Sequence, residues 1–546
     1  MSHAAEPGER SEATRFLSIA AYLDEDYRRL AVDELVHDPF RAVAPSYGVD
    51  VAPVLAHCLV ARRWMLLRDG AITVLWLIGA FVAPAAAWPL LLVGLPAWWV
   101  YQQAHGALRG GMSRLGPQTQ GRLRLTGAAA SVLVLVAGAA VFLTVLWSLA
   151  GQFLHGDVPS PVTILSSLAF PALLVLALFA HRLAIHRQVV EALQPEAFSV
   201  RPDPVVPEWC RARVEQLRDA QRGNVAYVSE SRADNPFVGS GEIVESSSFA
   251  VPLRPRRVGD VEPRPLTGED VYEGLRRALI RLSHQHLSPE QRIDNLTLRD
   301  RLYVHGRLRP TSPYLVDGRP TSRVAADVVE RVSLQERGAA RRFLVARVAG
   351  WEGELETSVF FYAAVRGDML YLEVAATLLP PVSARYHAAD SYEHVTGAVI
   401  ARHLGGSVLD LLRVAPGAPV RLWRAAMHRL ARSRRRAASA TAVERRLSFD
   451  YGSRFGLREL GVDSTGWFAL SDADEVRTLL MRRAFTAVAD ILAEFGYDGD
   501  EFETRANVVI NNSTTNLSGA SIHHSVIASG TSSQASASSP AGGASS

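Results

Sequence analysis

Long uncharged stretches constrain this chain most strongly. Four apolar runs crowd into residues 71–180, and residues 70–108 contain no Asp, Glu or Arg. A membrane helix needs roughly 20 apolar residues, so residues 70–108 are too long for one straight helix and just long enough for two. Pro84 and Pro89 mark the break, because proline interrupts the helical hydrogen-bond ladder. We predict four spans in two hairpins, near residues 71–86, 90–106, 127–149 and 164–180.

Arginine positions predict how these spans are oriented, since cationic residues beside span ends are retained in the cytoplasm. Arginines precede the first pair of spans, lie between the pairs and follow the last, while the two remaining links contain none. We therefore expect a multi-pass protein of a bacterial plasma membrane with both termini in the cytoplasm. The alternative is one kinked span over residues 71–101, which gives three spans and places residues 190–546 outside.

Charge and motifs argue against several classes of protein. The 58 basic and 55 acidic residues leave a net charge of only +3, whereas a nucleic-acid-binding protein usually has a concentrated basic excess. Cys58 and Cys210 are too few for a zinc site or a disulfide framework. Common phosphate-binding, dinucleotide-binding and zinc-protease motifs are missing, so we expect no cofactor and no metal. Glycines directly beside Ser240 favour a turn, because a nucleophile elbow has its glycines two residues away.

Composition divides the chain into five segments. They are a cytoplasmic helical N-terminal segment (1–69), the membrane region (70–188), a proline-spaced linker (189–222), a cytoplasmic α+β domain (223–505) and a low-complexity tail (506–546).

The α+β assignment of residues 223–505 depends on three apolar runs and one helix. Runs at 343–348, 354–365 and 369–378 are joined by glycine-containing turns, which predicts an antiparallel meander. A helical stripe follows Ser471 or Asp472 as the N-cap and stops at Gly496. The predicted fold is thus an α-helical membrane region of four spans, plus a cytoplasmic α+β domain with an antiparallel meander.

The segment 341–387 reads RRFLVARVAGWEGELETSVFFYAAVRGDMLYLEVAATLLPPVSARYH. It resembles uncharacterised multi-pass membrane proteins of GC-rich actinobacteria. The resemblance implies a membrane protein and implies no activity.

Residues 420–436 form a basic amphipathic pattern, with apolar residues at helical spacing and arginines between them. Such a helix can lie on an anionic leaflet; the alternative is a core-packed helix with a solvated basic face. The predicted lipid contacts are Arg421, Trp423, Arg424, Arg429 and Arg432.

Residues 507–530 alternate aliphatic with Asn, Ser, Thr and Gly and carry almost no charge. Short β-prone segments of this kind favour stacked cross-β assembly, and the alternative is a disordered low-complexity tail. The predicted self-assembly residues are Val509, Asn511, Leu517, Ile522 and Val526.

Three functions remain open on this reading. The leading one is a membrane protein whose cytoplasmic domain binds a protein partner or signals without catalysis. A membrane-tethered enzyme is the alternative, with a dispersed site drawn from groups such as His284, His305, Asp368 and His387. Homotypic signalling through an amyloid-type tail is the third.

Overall fold

The structure is a computed structural model of the 546-residue chain. It describes residues 11–38, 40–111, 161–232, 234–256, 262–283, 292–334, 338–462 and 466–513. The predicted span at 127–149 and the residues His284, Leu517, Ile522 and Val526 lie outside this part of the chain.

Two short helices begin the described chain, and each is capped by its own sequence. Helix α1 (Glu12–Leu23) starts where the Ser11 side chain accepts a hydrogen bond from the Thr14 N–H. Helix α2 (Glu25–Ala31) starts where Asp24 accepts from two backbone N–H groups, and a π-helical turn at Val32–Val36 follows it. Buried Arg15 ties α1 to the C-terminal half, because its guanidinium pairs with Asp390 at 2.6 Å.

Three described helices are long and apolar enough to cross a membrane. They are α3 (Val51–Val82), α4 (Pro84–Gly111) and α5 (Pro161–Ala192). Helix α3 starts after its N-cap Asp50 and runs on without a break into the predicted first span, so the predicted boundary at residue 69 is not a break in structure. Proline at the first position of α4 suits a helix start, where its missing N–H is not needed.

The helices α3 and α4 form a hairpin, and its bend at Ala83 comes earlier than predicted. Trp76 of α3 and Trp98 of α4 both contact the turn at residues 415–417. A single kinked span would hold these tryptophans roughly 33 Å apart, at about 1.5 Å per residue. In the described part of the chain, α3 and α4 are therefore two helices that fold back on each other.

Two helices occupy the segment predicted as a linker, namely α6 (Pro195–Val200) and α7 (Glu208–Gln221). Pro195 is the first residue of α6 and Pro207 is the N-cap of α7, so these two prolines start helices, while Pro202 and Pro204 lie in the irregular chain between them. Cys210 and Leu217 of α7 are buried in one core with α1 and the first turns of α3. Cys58 lies in the same core, and both cysteines are free thiols.

Ten strands follow in the described chain. They are β1 (Val225–Val228), β2 (Glu242–Pro252), β3 (Leu296–His305), β4 (Arg307–Leu308), β5 (Leu315–Val316), β6 (Arg319–Pro320), β7 (Ala340–Gly350), β8 (Leu355–Arg366), β9 (Met369–Leu379) and β10 (Phe449–Asp450). The remaining helices are α8 (Gly268–Ile280), α9 (Ala326–Leu334), α10 (Ala384–His387), α11 (Gly397–Arg413), α12 (Ala418–Glu444), α13 (Trp467–Glu494) and α14 (Asp500–Ser513).

Six strands form one mixed sheet in the order β1-β3-β7-β8-β9-β2. The three predicted runs are its adjacent antiparallel strands β7, β8 and β9, but they belong to this larger sheet and are not a separate antiparallel meander. Strand β1 pairs with β3 in parallel, which makes the sheet mixed. Strand β3, which none of the three predicted apolar runs includes, separates β1 from β7.

One face of the sheet packs against α8, α13 and α14. The predicted stripe of the long C-terminal helix is buried there, with Leu480, Ala484 and Val488 all fully covered. This helix starts at Trp467, four residues before the earlier of its two predicted caps, and ends before Gly496, whose φ of +83° suits glycine. Burial of each large side chain contributes about 1.5–3 kcal/mol, so this stripe is a main support of the domain.

The other face of the sheet is covered by two segments without regular secondary structure, one around Pro45 and one around Phe237 and Gly239. Phe237 stacks on Phe360 of β8 at a centroid distance of 4.0 Å. The glycines beside Ser240 both have positive φ, and the buried Glu459 carboxylate accepts their N–H groups at 3.0 and 3.1 Å. A Cβ at Gly239 would come within 2.0 Å of the Pro45 carbonyl oxygen. The Ser240 segment is thus a structural turn.

Candidate functional site

The α11–α12 hairpin places its turn, residues 414–417, against the candidate spans. The indole Nε1 of Trp76 donates to the Ala415 carbonyl at 3.0 Å. The Trp98 ring lies against Gly417, where a Cβ would come within 2.2 Å of it. Trp76 is seven residues past Asp69, or about 10 Å along the helix. The turn therefore reaches well past the last charged residue of α3.

Two of the seven arginines of α12 pair with carboxylates of the protein, and the other five are exposed. Arg421 makes two hydrogen bonds of 2.8 Å to the buried Asp69 carboxylate. Arg432 pairs with Asp33 at 2.7 Å. These carboxylates already compensate the two charges, and lipid contact by Arg421 and Arg432 stays a prediction. Arg424 and Arg429 are exposed, and that prediction stays open for them.

Apolar side chains cover the outer surface of the same hairpin. On α12, Trp423 is 66% exposed, and Met427 and Leu430 are also exposed along the predicted stripe. On α11, the exposed residues recur every fourth position, at Ile400, Leu404 and Val408. An apolar face this large, continuous with the candidate spans, indicates contact with lipid or with another protein.

A cavity of about 320 Å³ opens where α3 and α5 leave their apolar parts. Side chains from α1, α2, α3, α5, α11 and the chain before α11 line it. They are Tyr22, Leu23, Glu25, Arg28, Ala61, Trp64, Met65, Arg68, Leu178, His181, Arg182, Ile185, His186, Tyr392, His403 and Asp410. Three of these are arginines, and we call this cavity the basic pocket.

A second surface feature is an exposed aromatic cluster on the sheet domain. Trp467 and Phe468, at the start of α13, are 71% and 70% exposed and meet edge to face at 5.2 Å. Trp351, in the β7–β8 connection, is 45% exposed and donates from Nε1 to Asp472 at 2.8 Å. We call Trp351, Trp467 and Phe468 the aromatic cluster.

Two of the polar groups proposed for a dispersed enzyme site, His387 and Asp368, do not come together. His387 lies 3.7 Å from Glu354, just before β8 begins, whereas Asp368 follows the end of β8. A strand of twelve residues is about 40 Å long at ~3.3 Å per residue. His387 and Asp368 are therefore at opposite ends of the sheet. In the described ranges no group of three or more His, Cys, Asp or Glu could hold a metal ion.

The tail begins as a helix over the part that the structure describes. Val509 lies in α14, is only 4% exposed and packs in the core beneath the sheet. Asn511 lies in the same helix. An extended form of these two residues would require α14 to open. For Leu517, Ile522 and Val526, self-assembly stays a prediction.

Sequence reasoning missed the basic pocket and the aromatic cluster. The pocket collects single residues from distant helices, so no local motif marks it. One signal was present for the cluster, since adjacent Trp467 and Phe468 precede a helical stripe.

Residues 246–530 match the AbeC-like domain family, which is just over half of the chain. The chain belongs to the AbeC-like domain family. The matched range contains the segment 341–387 and the α11–α12 hairpin and leaves out the three candidate spans. The family description states no activity. No curated protein and no solved structure matches the chain.

Proposed function

We propose that this protein is a non-enzymatic, multi-pass protein of the plasma membrane that presents its AbeC-like domain to a protein partner in the cytoplasm. The aromatic cluster is the observation that carries the proposal. Exposed tryptophan and phenylalanine are the residues most often enriched at the centres of protein interfaces. Trp467 and Phe468 are in contact at the start of α13, and the hydrogen bond from Trp351 to Asp472 ties Trp351 to the first turns of the same helix.

The packing of the hairpin supports a fixed position for this domain. The Arg421–Asp69 pair and the Trp76–Ala415 hydrogen bond join α11 and α12 to α3. A domain fixed in this way presents the aromatic cluster at a constant orientation, which lowers the entropy lost when a partner binds.

The partner hypothesis is tested by cross-linking in intact membranes. A photoreactive phenylalanine analogue at Phe468 should give a discrete adduct, which Trp351→Ser should weaken. The same analogue at exposed Arg277 of α8 is the matched control and should give none. Equal adducts at both positions, or none at Phe468, would contradict partner binding through the aromatic cluster.

Orientation is tested separately with reporters. Green fluorescent protein fused after Arg114 or after Ser546 should fluoresce, and alkaline phosphatase at the same places should be inactive. The reverse result after Ser546 would put the domain outside and would exclude a cytoplasmic partner.

The membrane-tethered enzyme is less well supported. Its site was expected to include His387 and Asp368, and the length of β8 separates them. The exposed aromatic cluster gives the binding hypothesis a defined surface, and the enzyme hypothesis has no comparable one in the described residues.

A further inference from the structure

The basic pocket lies at the level where lipid headgroups meet these helices. Its α5 residues run from Leu178 to His186, across the end of the apolar run. Its α3 residues run from Ala61 to Arg68, just before the uncharged stretch begins at Gly70. Both helices therefore enter the pocket where a membrane changes from hydrocarbon to headgroups.

The charges around the basic pocket leave a cationic surplus. Arg182 is paired with Asp410 at 2.6 Å. Arg68 shares Asp69 with Arg421, so one carboxylate serves two arginines. The remaining acid of the lining, Glu25, is exposed.

Arg28 is the most unusual group in the lining. Its side chain is 93% covered, and it forms no ion pair with any residue that the structure describes. It donates to the Ala21 carbonyl at 2.8 Å and to the Met65 sulfur at 3.2 Å. Thioether sulfur is a weak acceptor, and a guanidinium has five N–H donors. Burial lowers the pKa of Arg28, but the group remains charged at physiological pH.

Three imidazoles complete the polar wall of the pocket. His186 donates from Nε2 to the Glu393 carbonyl at 2.9 Å, because a carbonyl can only accept. Its ring stacks on Tyr392 and meets His403 edge to face at 4.8 Å. Burial and the neighbouring cations lower the pKa of His403, so it is neutral near pH 7 and can donate or accept.

We propose that the basic pocket binds the phosphate of an anionic phospholipid headgroup, with Arg28, Arg68 and Arg182 as donors. Basic pockets between membrane helices on the cytoplasmic side suit such headgroups, and arginine is the preferred phosphate ligand. The acyl chains would lie on the outer face of α5, where Leu173 and Leu176 are exposed. This proposal rests on the proposed function for the membrane placement and the cytoplasmic orientation of the helices, and it does not depend on the aromatic cluster.

Native mass spectrometry of the full chain in nanodiscs tests the proposal. The probe is phosphatidylglycerol as a minor component in phosphatidylcholine. The wild-type chain should retain phosphatidylglycerol in preference to phosphatidylcholine, and Arg28→Gln should weaken this by about tenfold or more. Arg29→Gln is the matched control, since Arg29 is the exposed neighbour on the same helix. It should retain the lipid as the wild type does.

A second variant keeps the test decisive if Arg28→Gln fails to fold. Ile185→Trp fills the pocket and leaves every charge in place, so it should also release phosphatidylglycerol. Equal retention by wild type, Arg28→Gln and Ile185→Trp would overturn the proposal. In a parallel arm, inorganic phosphate and glycerol 3-phosphate are added to the chain in phosphatidylcholine alone. Stabilisation by these soluble anions equal to that by the lipid would assign the pocket to a soluble phosphate and overturn a lipid ligand.

Discussion

The two longest helices of the AbeC-like domain have similar patterns and opposite orientations. Helix α13 turns its apolar stripe inward, with Leu480 and Val488 fully buried beneath the sheet. Helix α12 turns Arg421 and Arg432 inward, to Asp69 and Asp33, while its apolar stripe is exposed. An amphipathic pattern therefore shows that a helix has two faces, while the groups opposite each face decide which one is covered.

The surroundings of the two helices explain why their apolar stripes face opposite ways. For α13 the outside is water, so burying the stripe is favourable. Helix α12 lies beside the candidate spans, where exposed apolar side chains would meet lipid. Buried Asp69 and partly exposed Asp33 pair with Arg421 and Arg432, and these two ion pairs hold one side of α12 to the protein.

The largest expected effect comes from the stripe of α13. Leu480→Ala should lower the free energy of unfolding by about 2–5 kcal/mol, since it leaves a cavity in a closed core. Leu430→Ala on α12 should change it by within about 0.5 kcal/mol, because that side chain is already exposed. Denaturant unfolding of the full chain in detergent measures both. Similar losses for the two variants would mean that α12 is buried in the same way as α13.

Breaking the Arg421–Asp69 pair should lower the free energy of unfolding somewhat less than Leu480→Ala does. Asp69→Asn should cost about 3 kcal/mol, because it leaves Arg68 and Arg421 facing each other in a buried place. Adding Arg421→Gln should restore part of the loss. Asp26→Asn breaks the exposed pair with Arg29 and should cost less than about 1 kcal/mol. If Asp69→Asn proves as mild as this control, the pair does not hold α12 to α3.

Acidification should weaken the contact between α12 and His37. Burial, together with Arg432 and other nearby arginines, lowers the pKa of His37 to about 3 in the folded chain. The unfolded chain takes up the proton near pH ~6.5. Stability is therefore complete above about pH 6.5 and falls as the pH drops toward ~3. The thermal midpoint should fall with pH in wild type and less in His37→Gln. Exposed His428→Gln is the control, and an equal slope in all three would contradict this role for His37.

Spin labels on α12 and α13 should change the stability least of all these substitutions. They should also show most directly whether each helix faces lipid or water. Labels at Met427→Cys on α12 and Leu479→Cys on α13 occupy similarly exposed positions, 40% and 38%. The native Cys58 and Cys210 are buried and should stay unlabelled. In vesicles the label at position 427 should be relaxed more by oxygen, which partitions into lipid, and the label at 479 more by a water-soluble nickel complex. Nickel dominating at both would place the outer face of α12 in water.

Local patterns in the sequence predicted much of the sheet domain. Strands β7, β8 and β9 and the stripe of α13 each depend on neighbours within one run of chain, so period and turn composition were enough. Strand β3 was missed because Arg299, Asp300 and Arg301 interrupt its centre. These charges have partners elsewhere, as when Asp300 pairs with Arg342 of β7 at 3.1 Å.

The candidate site was much less predictable. The apolar stripe of α12 was visible, but the acid that pairs with Arg421 is 352 residues away. Helix α11 was not predicted, since Gly405 and Gly406 weaken its pattern. The Arg182 guanidinium lies against α11 at Gly406. A Cβ at Gly406 would come within 2.5 Å of this guanidinium. Contacts of this kind between distant segments have no signature in a single sequence.

Asp69 and Arg421 are far apart along the chain, so Asp69 is synthesised well before the arginine that pairs with it. A ribosome makes the α3–α4 hairpin first and reaches Arg421 on the order of a minute or less later, at roughly 5–20 residues per second. During that interval Asp69 keeps the adjacent Arg68 and lacks Arg421, and the sides of Trp76 and Trp98 that later contact residues 415–417 are not covered by this turn. A chain truncated before α11 would keep this incomplete membrane region permanently. Quality-control proteases could thus distinguish finished from unfinished chains by whether the hairpin has reached its place beside the spans.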